Sequence, residues 1–364
     1  MKAETKIENP NLKPRTSNQK HFNRLKIAGV FLTLGGLALF SYFLSSIGID
    51  EILHGIANIG FAGFGVILLI YFLRVCARAM AWKLSVYENQ TLELRDTIPA
   101  VIIGEALSAM IPLGILISGT AKAVAIRHRV PLVVGLSSVA TENLFYSIVT
   151  GLFIILGAVN FMRNFDLPEG WIFSIDVFIA ATFILIFFII LMVLRQWHFA
   201  SEICEKLYEK GIGTRFLENG RMQVRLFENL IYGFYRRYPK RFLPIILLQV
   251  AFHSLGIIEA WFILSRISEQ VISFHTAFLL ESVNRVTLTL FKLVPFLVGV
   301  DEAGAQFVTE TLALGAGVGV TLAIIRKGRV LFWTLTGLIL IGKRGLSLRE
   351  IKKISSQHEF IVKE

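Results

Sequence analysis

Cysteine is scarce in this sequence, and the common catalytic motifs are missing from it. Cys76 and Cys204 are the only cysteines, and neither stands in a CxxC or other metal-ligand spacing, so no zinc site or disulfide framework is implied. The seven histidines are scattered, and no HExxH, GxSxG or Walker-type GxxxxGK[ST] pattern occurs. We therefore expect no cofactor, no metal site and no enzymatic activity.

Charge is also scarce. Charged residues make up 17% of the 364 positions and hydrophobic residues 54%, whereas a soluble domain would carry more charge and shorter apolar runs. The net charge is +11, but the sequence has no stretch of basic residues interleaved with aromatic residues. We attribute it to Lys and Arg beside membrane-spanning helices, which argues against nucleic-acid binding.

What the chain has in abundance is apolar runs near or above ~18 residues, the length that spans a bilayer core. Two runs, near 98–119 and 278–300, are interrupted by glycine and by Pro112 and Pro295 respectively. The predicted fold is an all-α polytopic membrane protein with about six spanning helices and two proline-broken segments. The six continuous runs lie at roughly 27–47, 61–82, 131–159, 171–194, 244–265 and 317–342.

The order of these segments repeats. Pro112 and Pro295 lie 183 positions apart, and the same shift carries 61–82 onto 244–265. Each half, about 61–159 and 244–342, has a spanning helix, a broken segment, a short amphipathic piece and a long spanning helix. We therefore predict an internal repeat.

Charge predicts the topology. If both broken segments are re-entrant, the basic N-terminus 1–26, the connector 195–243 and the tail 346–364 share one side with most Lys and Arg. The positive-inside rule then makes both termini cytoplasmic and the two repeat halves inverted, a known design of transporters. Within the transmembrane domain 27–345, the stretch 202–241 is either an interfacial helix or a solvated connector.

Charged residues in the broken segments are candidates for function. Glu105 precedes Pro112 by seven positions, and Glu281 and Arg285 are spaced i, i+4 and can pair, with Lys292 on nearly the same face. Re-entrant backbone is tolerated only in protein or along a polar cavity, so Asp301 and Glu302 are expected at the outer mouth of a cavity.

The long helices carry further candidates. Glu142 is mid-helix, and Arg326 lies near the middle of 317–342, where a cation must meet an acid or an anionic ligand. Glu142 and Glu302 are its expected partners, and the alternative is a short loop at 326–329 between two short helices. For Glu105 and Glu142, the alternative to a functional role is a structural ion pair with a nearby arginine. For Arg74 and Arg78 we prefer snorkelling, in which the apolar stem stays in the membrane and the charged end reaches its surface.

Two stretches carry a family resemblance. "GEALSAMIPLGILISGTAKAVAIRHRVP" with "GLSSVATENLF", and "VPFLVGVDEAGA…LALGAGVGVTLAIIRKGR", resemble the two halves of the lysylphosphatidylglycerol-synthase transmembrane region, a flippase-like family. The resemblance covers about 25–345, and the run "ESVNRV…FKLVPFLVGVDEAG" is similar to its branch from hopanoid-biosynthesis clusters. The matching residues are Gly104, Glu105, Pro112, Gly114, Gly119, Lys122, Pro295, Gly299, Glu302 and Arg326.

The sequence departs from the family pattern at two positions. Asn143 stands where Arg often follows the acid, and Ser118 replaces the second glycine of a usual Gly-Gly. The acyltransferase domain of the fused synthases does not occur in this sequence. The resemblance therefore implies lipid translocation or trafficking rather than aminoacyl transfer.

The predicted function is movement of an amphiphilic lipid, with an anionic or zwitterionic headgroup or of hopanoid type, across or out of the cytoplasmic (inner) membrane. The alternatives are a proton-coupled transporter of a small solute and a non-transporting scaffold for lipid enzymes. Anionic lipid headgroups at the cytoplasmic face are expected partners. The sequence leaves open whether the chain forms a homo-oligomer. The predicted substrate-binding residues are Glu105, Pro112, Lys122, Glu142, Glu281, Arg285, Lys292, Pro295, Asp301, Glu302, Arg326 and Arg329.

Overall fold

The described chain is helical throughout. A computed structural model describes residues 49–87, 92–110, 114–165, 169–210, 214–291, 294–315 and 317–343. Over these ranges there are eleven α-helices and no β-strand, which confirms the predicted all-helical class. Several predictions fall outside them: the span 27–47, the terminal segments 1–26 and 346–364, Pro112 and Lys292.

The helices cover the predicted runs that lie in the described ranges, although the first of them begins before the run 61–82 and is kinked at Gly60 (φ 62°). They are α1 (Ile49–Leu84), α2 (Leu94–Met110), α3 (Gly114–Ala125), α4 (Leu132–Asn164), α5 (Glu169–Arg195), α6 (Phe199–Glu209), α7 (Thr214–Arg237), α8 (Phe242–Ile267), α9 (Phe274–Leu290), α10 (Val300–Thr311) and α11 (Val318–Lys343). Single 3₁₀ turns at Pro239–Arg241 and Pro295–Leu297 precede α8 and α10.

Four of the described helical stretches are long and apolar enough to cross a membrane: Ile56–Leu84, Leu132–Asn164, Ile172–Arg195 and Pro239–Ile267. The third buries only 6% of its apolar window against the rest of the protein, as expected of a helix that faces lipid. Helix α11 has 26 residues and is not among these four, and its first half carries three cations at Arg326, Lys327 and Arg329.

Each proline-broken segment is two helices. Helix α2 ends at Met110 and α3 begins at Gly114, while α9 ends at Leu290 and α10 begins at Val300. Gly299, directly before α10, has φ 83°, a left-handed conformation that glycine adopts without steric strain. The break between α9 and α10 therefore lies at the predicted place.

The run 317–342 forms one continuous helix. Helix α11 passes through residues 326–329 without interruption, so the single-helix prediction is confirmed and the alternative of a loop there is wrong. The two cations at Arg326 and Arg329 consequently enter the bundle on one rigid element.

Helix packing follows a regular pattern. Helix α1 packs on α8; α2 packs on α1, α3 and α11; and α9 packs on α8, α10 and α4. Helix α3 contacts α4 in the first half, as α10 contacts α11 in the second. Close approach depends on glycine, since a Cβ at Gly319 would lie 2.5 Å from the backbone of Ala305, and one at Gly337 2.5 Å from the Ala106 Cβ.

The connector 202–241 is helical. Helices α6 and α7 pack on each other, and α7 also packs on α4. The buried Glu228 carboxylate accepts the backbone N–H groups of Ala200 (2.8 Å) and Ser201 (3.3 Å) in the first turn of α6. Met222 and Leu226 leave apolar surface exposed on α7, and the interfacial position of this hairpin stays a prediction.

Candidate functional site

Helix α1 brings two arginines into the centre of the described bundle. Arg74 and Arg78 lie one turn apart, so they project from the same helix face. Arg74 is 3% exposed and packs against α8 and α9 residues, and Arg78 is 16% exposed at its side chain. Snorkelling, predicted for both, is wrong because both guanidinium groups bind acids inside the protein.

Glu281 on α9 gathers three arginines from three helices. Its carboxylate accepts from Arg285 Nε (3.0 Å), which lies one turn further on, and from Arg326 Nη2 on α11 (2.8 Å). Arg74 Nη2 lies 3.6 Å away. The predicted i, i+4 pair with Arg285 is confirmed, whereas the predicted Arg326 partners Glu142 and Glu302 are wrong, since Arg326 binds Glu281.

Glu259 on α8 is the second acid of this group. Its carboxylate accepts from Arg74 Nη1 (3.1 Å) and from Arg329 Nη1. Both Glu259 and Glu281 are fully buried. We call the four arginines and two acids, namely Arg74, Arg285, Arg326, Arg329, Glu259 and Glu281, the arginine centre.

Aromatic rings support the arginine centre. The Arg74 and Arg285 guanidinium carbons lie 4.5 and 5.4 Å from the centroid of Phe252, and that of Arg329 lies 4.4 Å from the centroid of Tyr71. A cation over a ring face is attracted by the ring quadrupole. These rings hold the guanidinium planes in place without neutralising their charge.

A second ion group lies one turn along α1. Arg78 Nε is 3.3 Å from Glu142 Oε1, and Arg78 Nη1 is 3.5 Å from Glu105 Oε1. Lys122, which is buried, has its Nζ 4.0 Å from Glu142 Oε2. We call Arg78, Lys122, Glu105 and Glu142 the Arg78 centre, and its two cations balance its two acids.

Tyr71 links the two centres. Its hydroxyl donates to Glu105 Oε2 (2.7 Å) in the Arg78 centre, while its ring lies beneath Arg329 of the arginine centre. Gln249 and Asn143 complete the Arg78 centre, because Gln249 donates to Glu142 (3.0 Å) and Arg78 donates to Asn143 (3.3 Å). Asn143, one of the two positions that depart from the family pattern, thus accepts a hydrogen bond from an arginine here.

The predicted acids of α10 form a separate contact. Fully buried Glu302 accepts the backbone N–H of Gly299 at 2.8 Å and lies 2.6 Å from Lys327 Nζ. Asp301 is 4.0 Å from the same Nζ. Glu302 therefore caps α10 and pairs with Lys327, a residue that the sequence analysis did not assign to the site.

His253 lies beside the arginine centre. Its Nε2 is 3.0 Å from Thr150 Oγ1, and its ring stacks on Phe153 with centroids 4.8 Å apart. Among the described residues, no group of three or more His, Cys, Asp or Glu side chains is arranged to hold a metal ion. The arginine centre offers guanidinium groups, which bind anions through charge-assisted hydrogen bonds.

The structure brings most predicted site residues together. Four fall in the arginine centre (Glu281, Arg285, Arg326, Arg329), and three fall in the Arg78 centre (Glu105, Lys122, Glu142). Asp301 and Glu302 lie apart from both, and Pro295 begins the turn before α10. Glu259, Arg74 and Arg78 were missed as site residues. The signal for Glu259 was available, because it is a lone acid inside a predicted span.

Comparison with known families supports the resemblance seen in the motifs. The model of the lysylphosphatidylglycerol synthase TM region matches residues 26–338. The chain belongs to this family. Together with the four apolar helices, membership makes this chain an integral membrane protein. No curated protein and no solved structure matches it, and its assignment to the hopanoid-associated branch of the lysylphosphatidylglycerol synthase TM family stays a prediction.

Proposed function

We propose that this member of the lysylphosphatidylglycerol synthase TM family is a lipid flippase-like transporter and not an enzyme. It moves an amphiphile with an anionic or zwitterionic headgroup across or out of the cytoplasmic membrane. The observation that carries the proposal is the arginine centre, in which four buried arginines surround two buried acids inside an apolar bundle.

Buried cations on membrane helices call for a functional explanation. An arginine at the centre of a membrane helix costs roughly 2.5–3.5 kcal/mol on insertion scales, and such residues usually line a substrate or ion pathway. Guanidinium groups bind phosphate and carboxylate oxygens through two parallel hydrogen bonds. A lipid headgroup of that chemistry is the ligand that fits the centre best.

We also propose that the two halves form an inverted repeat with paired re-entrant hairpins. Helices α1, α2, α3 and α4 correspond to α8, α9, α10 and α11, in that order. Every contact between two of these eight helices has a counterpart between the two corresponding helices, which supports a repeat. Helices α3 and α10 have 12 residues each, about 18 Å at 1.5 Å per residue, too short for a core of about 30 Å. Each packs on its predecessor, as a hairpin requires.

The positive-inside rule supplies the orientation in this proposal. With both hairpins re-entrant, the basic segments gather with the two termini on the cytoplasmic side. A periplasm-active and a cytoplasm-active reporter, each fused after Glu364, test the orientation. Signal from the cytoplasmic reporter alone supports it, and signal from the periplasmic reporter alone contradicts it.

The Arg78 centre provides the observation behind one alternative function. Glu105 and Glu142 are acids inside the bundle that share Arg78, and the Glu105 side chain is 20% exposed. Carboxylates inside membrane helices are the groups that carry a driving proton in many transporters. Such a centre suits a proton-coupled transporter of a small solute. It suits equally a lipid transporter that is driven by protons.

Reconstitution separates these functions. The purified chain is placed in vesicles that hold an acyl-chain NBD-labelled anionic lipid, and the label in the outer leaflet is quenched with dithionite. Lipid movement above that of protein-free vesicles supports the proposal. Uptake of a small solute without lipid movement favours the alternative transporter, and a folded protein that moves neither is a scaffold.

A further inference from the structure

The two ion groups differ in their balance of charge. The Arg78 centre holds two cations and two acids. The arginine centre holds four arginines, whereas Glu259 and Glu281 are the only described carboxylates in ion-pair contact with them. Arginine is not deprotonated in proteins, so the centre keeps an excess of two positive charges.

The arginine centre also has more hydrogen-bond donors than acceptors. Each guanidinium carries five N–H donors, and each carboxylate offers about four lone-pair sites. Over the described residues, the buried Nε atoms of Arg74 and Arg329 have no hydrogen-bond partner. Unpartnered buried donors are costly, so acceptors that the described side chains do not supply are expected here.

Neighbouring acids do not remove the imbalance. Glu105 and Glu142 are in contact with Arg78 and Lys122, and both Asp301 and Glu302 are in contact with Lys327 rather than with the four arginines. The rings of Tyr71 and Phe252 attract guanidinium groups but carry no net charge. Within the described part of the chain, the excess of two charges is therefore left for a ligand.

We propose that the arginine centre selects a doubly negative phosphate monoester over a singly negative phosphodiester. This assignment rests on the proposed lipid transport and adds the charge state of the headgroup. A phosphate monoester carries about −1.5 to −2 charge at pH 7 and three strong acceptor oxygens, which match the excess charge and the free Nε donors. A phosphodiester carries one charge and leaves one arginine uncompensated.

The proposal predicts the order of transport rates in reconstituted vesicles. Acyl-chain NBD-labelled phosphatidic acid, a monoester, is compared with NBD-labelled phosphatidylglycerol, a diester, and each rate is corrected for protein-free vesicles. We expect the monoester to move at least about tenfold faster, the equivalent of 1.4 kcal/mol. Uptake of free glycerol 3-phosphate is measured in parallel to separate a lipid from a soluble source of the same group.

One charge removed from the centre should reduce this preference. In Arg329→Gln the excess falls to one, while Glu259 keeps Arg74 as a partner. We expect the monoester-to-diester ratio to fall by about tenfold. Lys343→Gln removes one charge from the exposed end of the same helix and should leave the ratio unchanged.

The outcomes distinguish the two proposals. Equal rates for monoester and diester, or an unchanged ratio in Arg329→Gln, would overturn the charge assignment while lipid transport itself stands. Glycerol 3-phosphate uptake without lipid movement would support the dianion assignment and overturn the lipid function. A monodisperse protein that moves none of the three probes would overturn both.

Discussion

Arg326 on α11 donates to Glu281 on α9 at 2.8 Å, across 45 positions of the chain. The same carboxylate binds Arg285 of its own helix, and Arg74 of α1 lies 3.6 Å away. One buried acid thus joins three helices of the bundle. Its removal should lower the stability of the protein and displace the arginines of the arginine centre.

Glu281→Gln should be strongly destabilising. The variant leaves the guanidinium groups of Arg74, Arg285 and Arg326 with one carboxylate fewer, and removing one partner of a buried ion pair costs about 3–5 kcal/mol. Thermal unfolding in detergent should show a clear drop in Tm. Glu205→Gln, which breaks the exposed contact with Arg225, is the control and should change stability by less than about 1 kcal/mol. Equal Tm values for both variants would refute a structural role of Glu281.

The partner of Arg326 can be measured by a double-mutant cycle. Arg326→Ala combined with Glu281→Ala should show a coupling of about 1 kcal/mol or more, because the two residues are in direct contact. Arg326→Ala combined with Glu142→Ala should be additive within about 0.5 kcal/mol. Stronger coupling to Glu142 than to Glu281 would contradict the geometry described above.

Gly319 and Gly342 on α11 provide a matched test of helix packing. A Cβ at Gly319 would lie 2.5 Å from the backbone carbon of Ala305, so Gly319→Ala should push α10 away from α11 and lower Tm. Nothing lies within 4 Å of a Cβ at Gly342, so Gly342→Ala should be neutral or stabilising by up to about 1 kcal/mol. A harmless Gly319→Ala would show that the two helices are not in close contact.

Paired cysteines test the proposed re-entrant hairpins. In a background with Cys76 and Cys204 replaced by alanine, Ser108→Cys and Ser118→Cys should label with an impermeant maleimide from the cytoplasmic face only. Phe291→Cys and Val298→Cys should label from the periplasmic face only, as expected of hairpins that return to the side they entered. Labelling from opposite faces within either pair would mean a full crossing.

Helices and local pairs could be predicted from the sequence. Long apolar runs are decisive for helices in a membrane protein, because backbone groups in lipid must be hydrogen-bonded within the segment. The pair Glu281–Arg285 was also predictable, since i, i+4 residues share a helix face. The break before α10 was marked by Pro295 and Gly299, and it lies there.

Contacts between distant helices could not be predicted. Arg326 was assigned to Glu142 or Glu302 from depth along the segments, but depth does not determine rotation about the helix axis, and its partner is Glu281. Arg74 was interpreted as snorkelling because it lies near one end of an apolar run. Its burial against α8 depends on tertiary contacts with Glu259, 185 positions away, which no local pattern records.

Lipid movement by Arg326 variants tests the central claim most directly. In proteoliposomes with an NBD-labelled anionic lipid, Arg326→Ala should slow movement by at least about tenfold, and Arg326→Lys, which keeps the charge but loses the planar fork, should be intermediate. The control, Arg225→Ala, removes an exposed cation of α7 and should leave lipid movement at the wild-type rate. Wild-type movement by a folded Arg326→Ala would contradict a role of the arginine centre in holding the headgroup.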